Sequence, residues 1–237
     1  MLLAQLKKSF KELNWSVLAI EILILIIGIS VSLQVNEWQN QRDDRQLAQE
    51  YLKRLLVDFG ESEKVLRKDI GQLRNSADKL LIGMKPLSKS MLTKDDHHLL
   101  FEAVGQSGIV GRFTVIFGTI DELKDTGNMR LLVSKKLRIE LANLYQTYQQ
   151  IIRLSAIRNI LRGQAFPVLV RHLKPNSKSE VAWNEELAEL NKREIFGALT
   201  VILQNLKNDL SDTEILTQRV VNITGIIEQE LEKDKWG

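Results

Sequence analysis

Glu21 is the residue in this sequence best placed for unusual chemistry. It is the single charge among the nineteen residues 17–35, VLAIEILILIIGISVSLQV. An ionisable group inside an apolar span costs about 3 kcal/mol on insertion scales and is a functional candidate by default. Its place one turn inside the N-terminal boundary sets up the competing reading, a carboxylate that snorkels to the interface or stays protonated. Glu21, Gly28, Ser32 and Asn36 follow one another at steps of seven, four and four, so a helix gathers them on one face. Gly28 and Ser32 form a small-xxx-small pair that lets a second helix approach closely. With Gln34 and Trp38, these residues make up the expected membrane or oligomer face.

The other chemistry-bearing residues spell out no reaction. His97 and His98 are adjacent, so on a helix they diverge by about 100° and share a metal poorly. The third histidine, His172, is far from both in sequence. No Ser–His–Asp, His-Glu-x-x-His or paired-carboxylate pattern is readable. Asp43-Asp44 reads as solvated surface and Asp95-Asp96 as the start of a helix. Gly105, Gly108 and Gly111 lack the Gly-Lys-Ser/Thr ending of a phosphate loop and no clear strand precedes them, so they read as a connector. Zero cysteines exclude disulfides, thiolate catalysis and Cys-ligated metal sites. The expectation is a non-enzymatic chain with no catalytic, cofactor-binding or metal-ligating residues.

Charge narrows the partners. The 33 Lys+Arg against 30 Asp+Glu give a net +3 over 237 residues, too small to make nucleic acid the partner. The distribution is uneven. Residues 135–178 carry nine Lys/Arg and one acid, whereas residues 180–234 carry twelve Asp/Glu and five Lys/Arg. One reading is a basic patch for an anionic partner. The favoured one is two consecutive helices packed antiparallel, each cancelling the other's field.

Several elements must hold these residues in place. Nineteen apolar residues rise about 28 Å as a helix, close to the bilayer's hydrocarbon thickness. A cleaved signal peptide would share the basic flank Lys7, Lys8 and Lys11 and the small residues Ser30 and Ser32. The apolar stretch is longer than a usual signal core, and the helical pattern runs on into Trp38, so a retained anchor is favoured. The lysines before the span put the N-terminus in the cytoplasm. The expected organisation is a cytoplasmic tail 1–16, a transmembrane helix 17–35 and an extracytoplasmic bundle 36–237.

Periodicity predicts three long helices in that bundle. The first runs from Asn36 to about Leu81, on a stripe of Leu52, Leu55, Phe59, Leu66, Ile70, Leu73, Ala77 and Leu80 with Ser62 filling a gap, and ends around Pro86. Thr93 caps a short helix to about Val104. Phe113–Phe117, FTVIF, reads as one isolated strand with no obvious partner. Thr119 caps a second short helix with Glu122 at its capping-box position, and Gly127 stops it. Ser134 caps the next long helix, with a stripe of Leu137, Leu141, Leu144, Tyr148, Ile151, Leu161, Ala165 and Val168 and a kink or break at Pro167. After a loop at 174–183, the last helix starts near Asn184. It carries Ile195, Leu199, Ile202, Leu206, Leu216, Val220, Ile223, Ile227 and Leu231, continuous through Ser211. The fold class is all-α: an N-terminal transmembrane helix, then an elongated antiparallel helical bundle with long coiled-coil-like helices.

Two motifs carry a resemblance. EILILIIGISVSLQVNEW resembles the E-I-x-L-x-x-x-G-I-x-x-x-L-Q-x-N-x-W anchor motif of a bacterial domain-of-unknown-function family of single-span membrane proteins. The match rests on Glu21, Ile22, Gly28, Ile29, Leu33, Gln34, Asn36 and Trp38. IDELKDTGNMRLL, residues 120–132, is similar to that family's Y-x-E-L-x-S-S-G-x-L-x-L-I, with Ile120 for Tyr and Asp125-Thr126 for Ser-Ser. The resemblance implies location and shape and no reaction. The expected function is a membrane-anchored interaction or scaffold protein that self-associates in the bacterial inner membrane, with a periplasmic domain. Its partners are the lipid bilayer, its own copies and a membrane or envelope protein. The alternative is a ligand-sensing or envelope-binding bundle that signals through a membrane partner.

Overall fold

The computed structural model describes residues 15–172 and 189–233. The elements are α1 (Trp15–Met84), a 3-10 turn (Lys85–Ser88), α2 (Lys94–Gln106), α3 (Gly118–Asp125), a second 3-10 turn (Asn128–Leu131), α4 (Lys135–His172) and α5 (Glu189–Lys233). The fold is all-α, with no strand among the described residues. The expected loop at 174–183, the helix start near Asn184 and most of the tail 1–16 lie outside the described residues. The chain divides into two units, Met1–Glu50 and Tyr51–Gly237. In the first, side chains of α1 from Ile20 to Val35 are exposed all round.

The second unit is built on three heptad-like seams. On α1 the buried positions Leu52, Leu55, Phe59, Ser62, Leu66, Asp69, Leu73, Ser76 and Leu80 alternate by three and four, the spacing that keeps one stripe facing its partners. Every second position is apolar. The positions between become polar or small after Leu55, namely Ser62, Asp69, Ser76 and then Gly83. On α5 the same alternation runs Ile195, Leu199, Ile202, Leu206, Asp209, Thr213, Leu216, Val220, Ile223 and Ile227, all buried. That helix is continuous through Ser211, as the phase of its stripe requires.

On α4 the stripe differs from the expected one. Leu161 is half-exposed and Val168 only partly buried, while Ser155, Arg162 and Leu169 are buried. The seam passes through Ser155, Arg158 and Arg162, so its polar middle hides it from an apolar pattern. Nor does α4 break at Pro167, since it runs on to His172. The carbonyl that loses its donor there belongs to exposed Gly163, where water can satisfy it. Ion pairs fix the direction of packing. Arg158 reaches Asp212, Arg162 reaches Asp209, and Arg219 lies 3.9 Å from Glu140. Partner numbers fall along α5 as they rise along α4, so the two helices are antiparallel, and Arg158 and Arg162 of the basic helix meet acids of the other.

The segment between α2 and α3 is extended but is no strand. Its amides are taken by side chains of the long helices. Ile116 N donates to Ser62 Oγ at 2.9 Å, Arg112 N to Asp69 Oδ2 at 2.9 Å and Gly111 N to Asp209 Oδ2 at 3.1 Å. The polar line of α1 is thus a receptor for a strap of chain. Thr119 does not cap α3, whose N-cap is Phe117 without a side-chain bond. Its hydroxyl instead donates to Asp58 Oδ2 at 2.6 Å, pinning the strap's end to α1.

Other turn chemistry follows the sequence. Gly127 adopts φ 71°, the left-handed stop that glycine enters freely, and Ser134 Oγ accepts from Leu137 N. Thr93 and Asp96 form a reciprocal capping box. The Asp96 carboxylate also pairs with Lys89 Nζ at 2.7 Å. The ammonium of Lys89, then the amide and hydroxyl of Thr93, hold Asp96 down from 3.8 to about 2. A depressed carboxylate stabilises the fold above its unfolded pKa and loses that contribution as pH falls through its folded one. Stability is therefore expected to drop between pH 3.8 and about 2. Asp96→Asn should flatten that part of a pH–denaturation profile, and an unchanged slope would contradict the assignment.

Candidate functional site

All six residues of the expected membrane or oligomer face lie on α1 and are exposed. At about 100° per residue, Glu21, Gly28, Ser32 and Asn36 fall within one quadrant. Gln34 and Trp38 do not join them but fall on the far side, about 160° and 120° from the centre of that quadrant. A Cβ on Gly28 would meet nothing within 4 Å, so nothing within the chain requires glycine there. Ser32 Oγ donates to the Gly28 carbonyl at 2.9 Å, which commits that hydroxyl within the helix. Beyond the apolar stretch, the Arg42 guanidinium lies 5.9 Å from the centre of the Trp38 ring.

A second constellation sits at the middle of the bundle, where the strap crosses the helices. Asp209, 1% exposed, accepts from Arg158 Nε at 2.8 Å and Arg162 Nη2 at 3.2 Å as well as from Gly111 N. Arg162 is buried and also donates to Asn159 Oδ1 at 3.1 Å. Across the strap, Asp69 accepts from Arg112 N, and its other oxygen lies 3.7 Å from Arg112 Nε. Gly111 has no room for a side chain, because a Cβ would stand 2.6 Å from Phe113 Cζ and 3.1 Å from Asp209 Cβ. Phe113 is fully buried at φ 51°, a region that bulky residues enter only when their surroundings enforce it. The cluster therefore positions backbone. Both Asp209 oxygens already hold donors, and Arg158 and Arg162 share this one buried acid.

A third cluster lies at the start of the bundle. Glu122 accepts from Arg54, at 3.0 Å from Nη1, and from Tyr51 Oη at 3.1 Å, and Asn128 Nδ2 reaches Tyr51 Oη at 3.2 Å. The Arg54 guanidinium, then the Tyr51 hydroxyl, hold the Glu122 carboxyl below its usual range. Residues 120–132 thus close the bundle over α1, with Leu123, Leu131 and Leu132 buried beneath. Phe117 packs edge-on against Tyr145 and Tyr148, with centroids 5.4 and 4.9 Å away.

The histidines are apart. His97 is buried and His98 exposed on α2, while His172 lies 2.5 Å from Glu194. Among the described residues, no three His, Asp or Glu converge as metal ligands. Where α1 ends against the first described turns of α5, an open groove of about 640 Å³ runs between Leu81, Met84, Leu87, Phe196 and Leu203. Lys85, Lys192 and Arg193 also line it. Lys192, only 4% exposed, donates to the carbonyls of Lys89 and Ser90 at 2.8 and 2.9 Å.

Sequence reasoning passed over Asp58, Asp69, Arg158, Arg162 and Asp209. The available signal was positional, because Asp69, Arg158, Arg162 and Asp209 are polar side chains at seam positions of otherwise apolar repeats. No family model, no curated protein and no solved structure matches this chain.

Proposed function

We propose that this chain is a single-span protein of the bacterial inner membrane, with residues 1–16 in the cytoplasm, 17–35 in the bilayer and 36–237 in the periplasm. In this reading it is a non-enzymatic interaction or scaffold protein that self-associates. The observation that carries it is the all-round exposure of apolar α1 side chains from Ile20 to Val35, in a helix whose most apolar stretch has a mean hydropathy of 1.7. Water would make that surface an aggregation liability, whereas lipid solvates it and the helix satisfies its own backbone. Lys7, Lys8 and Lys11 support the orientation, and the resemblance of the anchor motif supports the bacterial setting. The open Cβ position at Gly28 supports close approach of a second span.

The test has two arms. The full-length chain should stay with membranes through an alkaline wash, and release into the supernatant would end the anchoring reading. In a transmembrane-association reporter carrying residues 15–38, Gly28→Leu should cost about 1 kcal/mol or more of dimer affinity, and Glu21→Leu less. A Gly28→Leu span that dimerises as well as its parent would remove the anchor face from the assembly. The groove beside Lys192 favours a second reading, a ligand-sensing bundle acting through a membrane partner. A small molecule that raises the unfolding midpoint saturably would support it.

A further inference from the structure

Two lines of mostly apolar side chains face each other where α1 ends against α5. Leu81 and Met84 follow at a step of three on α1, and Phe196, Thr200 and Leu203 at steps of four and three on α5, so each set shares one side of its helix. They wall the groove of about 640 Å³, and Leu87 of the first 3-10 turn lines it with them. Met84, Leu87 and Leu203 are buried, whereas Leu81 and Phe196 stay 42% and 50% exposed. The charge on this groove is of one sign. Lys85, Lys192 and Arg193 line it, and among the described residues no carboxylate does. The nearby acids are engaged elsewhere, Asp96 with Lys89 and Glu194 with His172. The charge is also at one end. Arg74 of α1 pairs with Glu214 of α5, while Lys192 donates to the carbonyls of Lys89 and Ser90 just past the 3-10 turn. The two helices are therefore antiparallel. That gathers Lys85, Lys192 and Arg193 at one end and leaves the apolar walls to run back towards Leu81 and Leu203.

We propose that this groove binds a free single-chain anionic amphiphile, a long-chain carboxylate, with its head group at Lys85 and Arg193 and its chain along Leu81, Phe196 and Leu203. Small-molecule sites are mostly apolar clefts of about 300–1,000 Å³ in which a few polar groups fix orientation, and this groove has both the size and the polarity. A neutral apolar ligand would leave three cations without a counter-charge. A small inorganic anion would leave Leu81 and Phe196 in water. A ligand with a charged end and an apolar length meets both features at once, and the antiparallel helices set which way round it lies. Lys192 is tied to two carbonyls, so it adds its charge from a fixed place in the wall. This assigns a ligand class to the sensing reading given above and rests on that reading for any signal.

Full-length chain in phosphatidylcholine nanodiscs, irradiated with a diazirine-bearing hexadecanoate, should carry the label in residues 81–88 and 192–203 and not in 57–68, further back on α1. Unlabelled hexadecanoate should displace the probe, and hexadecanol, which lacks the charge, should not. Lys85→Glu with Arg193→Glu should cut labelling about tenfold, the scale of one charge-assisted contact. Thr200→Trp, which fills the groove from an exposed position, should cut it as far. Hexadecanoate should raise the parent's unfolding midpoint saturably and leave both variants' midpoints where they were, and their midpoints without ligand report that they fold. Four results would overturn the site: label spread evenly along the chain, hexadecanol competing as well as hexadecanoate, Thr200→Trp labelled like the parent, or label abolished in phosphatidylglycerol nanodiscs, which would hand the groove to a bilayer lipid. Two outcomes separate this ligand from the sensing reading. Another small molecule that raises the midpoint where hexadecanoate does not keeps the sensing and defeats the carboxylate. Hexadecanoate held in the groove, with no change in what the chain cross-links to in membranes, keeps the carboxylate and defeats the sensing.

Discussion

Asp209→Ala should cost about 3–5 kcal/mol of folding stability, the range for breaking a buried charge pair by removing one partner. Asp209 is the common acceptor for Arg158, Arg162 and the amide of Gly111. Arg158 keeps a second partner in Asp212, 2.5 Å away. Among the described residues Arg162 keeps only the neutral Asn159, so its charge is left uncompensated. The strap also loses one of its anchors, so protection of the 107–117 amides from hydrogen exchange should fall together with the denaturation midpoint. Replacing the charged cluster with Arg158→Met, Arg162→Leu, Asp209→Leu and Asp212→Asn should recover part of the loss, because a dry pair rarely gains more than its desolvation costs, while the Gly111 amide stays without its acceptor. A single-variant loss below about 1 kcal/mol would place the cluster in water and overturn its burial.

Gly83→Val should be the most damaging glycine substitution in the bundle, at about 3 kcal/mol, the upper end for overpacking a tight site. A Cβ at that position would stand 2.3 Å from Ala103 Cβ and 2.5 Å from the carbonyl oxygen of Leu99. Both atoms belong to α2, which lies directly on α1 there. Ala103→Gly should restore only part of the loss, because the Leu99 carbonyl is backbone and remains. Gly60→Ala and Gly71→Ala, whose Cβ atoms meet nothing within 4 Å, should instead stabilise by up to about 1 kcal/mol each through helix propensity. Chemical denaturation of the four variants tests the contrast, and a neutral Gly83→Val would mean that α2 does not sit on α1.

What could be read from residues alone depended on whether the partner was apolar or backbone. The stripes of α1 and α5 were legible because Phe59, Leu66 and Leu73, or Leu199, Leu206 and Val220, announce burial by type. Thr93, Gly127 and Ser134 were legible because caps and left-handed stops are local. The strap was not. FTVIF has strand composition, but its Ile116 amide is met by Ser62, and the Arg112 and Gly111 amides just before it by Asp69 and Asp209, and no short-range pattern encodes such a pairing. Thr119 fits an N-cap equally well by type, and only Asp58, sixty-one positions away, shows its use. On α4 the buried polar run Ser155, Arg158 and Arg162 pushed an apolar reading onto Leu161, one seam over. On the apolar part of α1, Glu21, Gly28, Ser32 and Asn36 share one side by helical spacing alone, whereas Gln34 and Trp38 do not.

The strap and the cluster that holds it also set a timetable for synthesis. α1 leaves the ribosome before α4 and α5, with its apolar seam from Leu52 to Leu80 uncovered. The core that closes over Leu73, Leu80 and Leu87 needs Ile195, Leu199, Ile202 and Leu206 from α5. Contacts so far apart along the chain form late, since loop closure must precede any gain from them. The antiparallel α4 and α5 are close in sequence and can pair early, bringing Asp209 beside Arg158 and Arg162 before the strap is bound. α1 would then be the last long helix to find its place, and a nascent chain halted before α5 would hold its seam open to any holdase within reach.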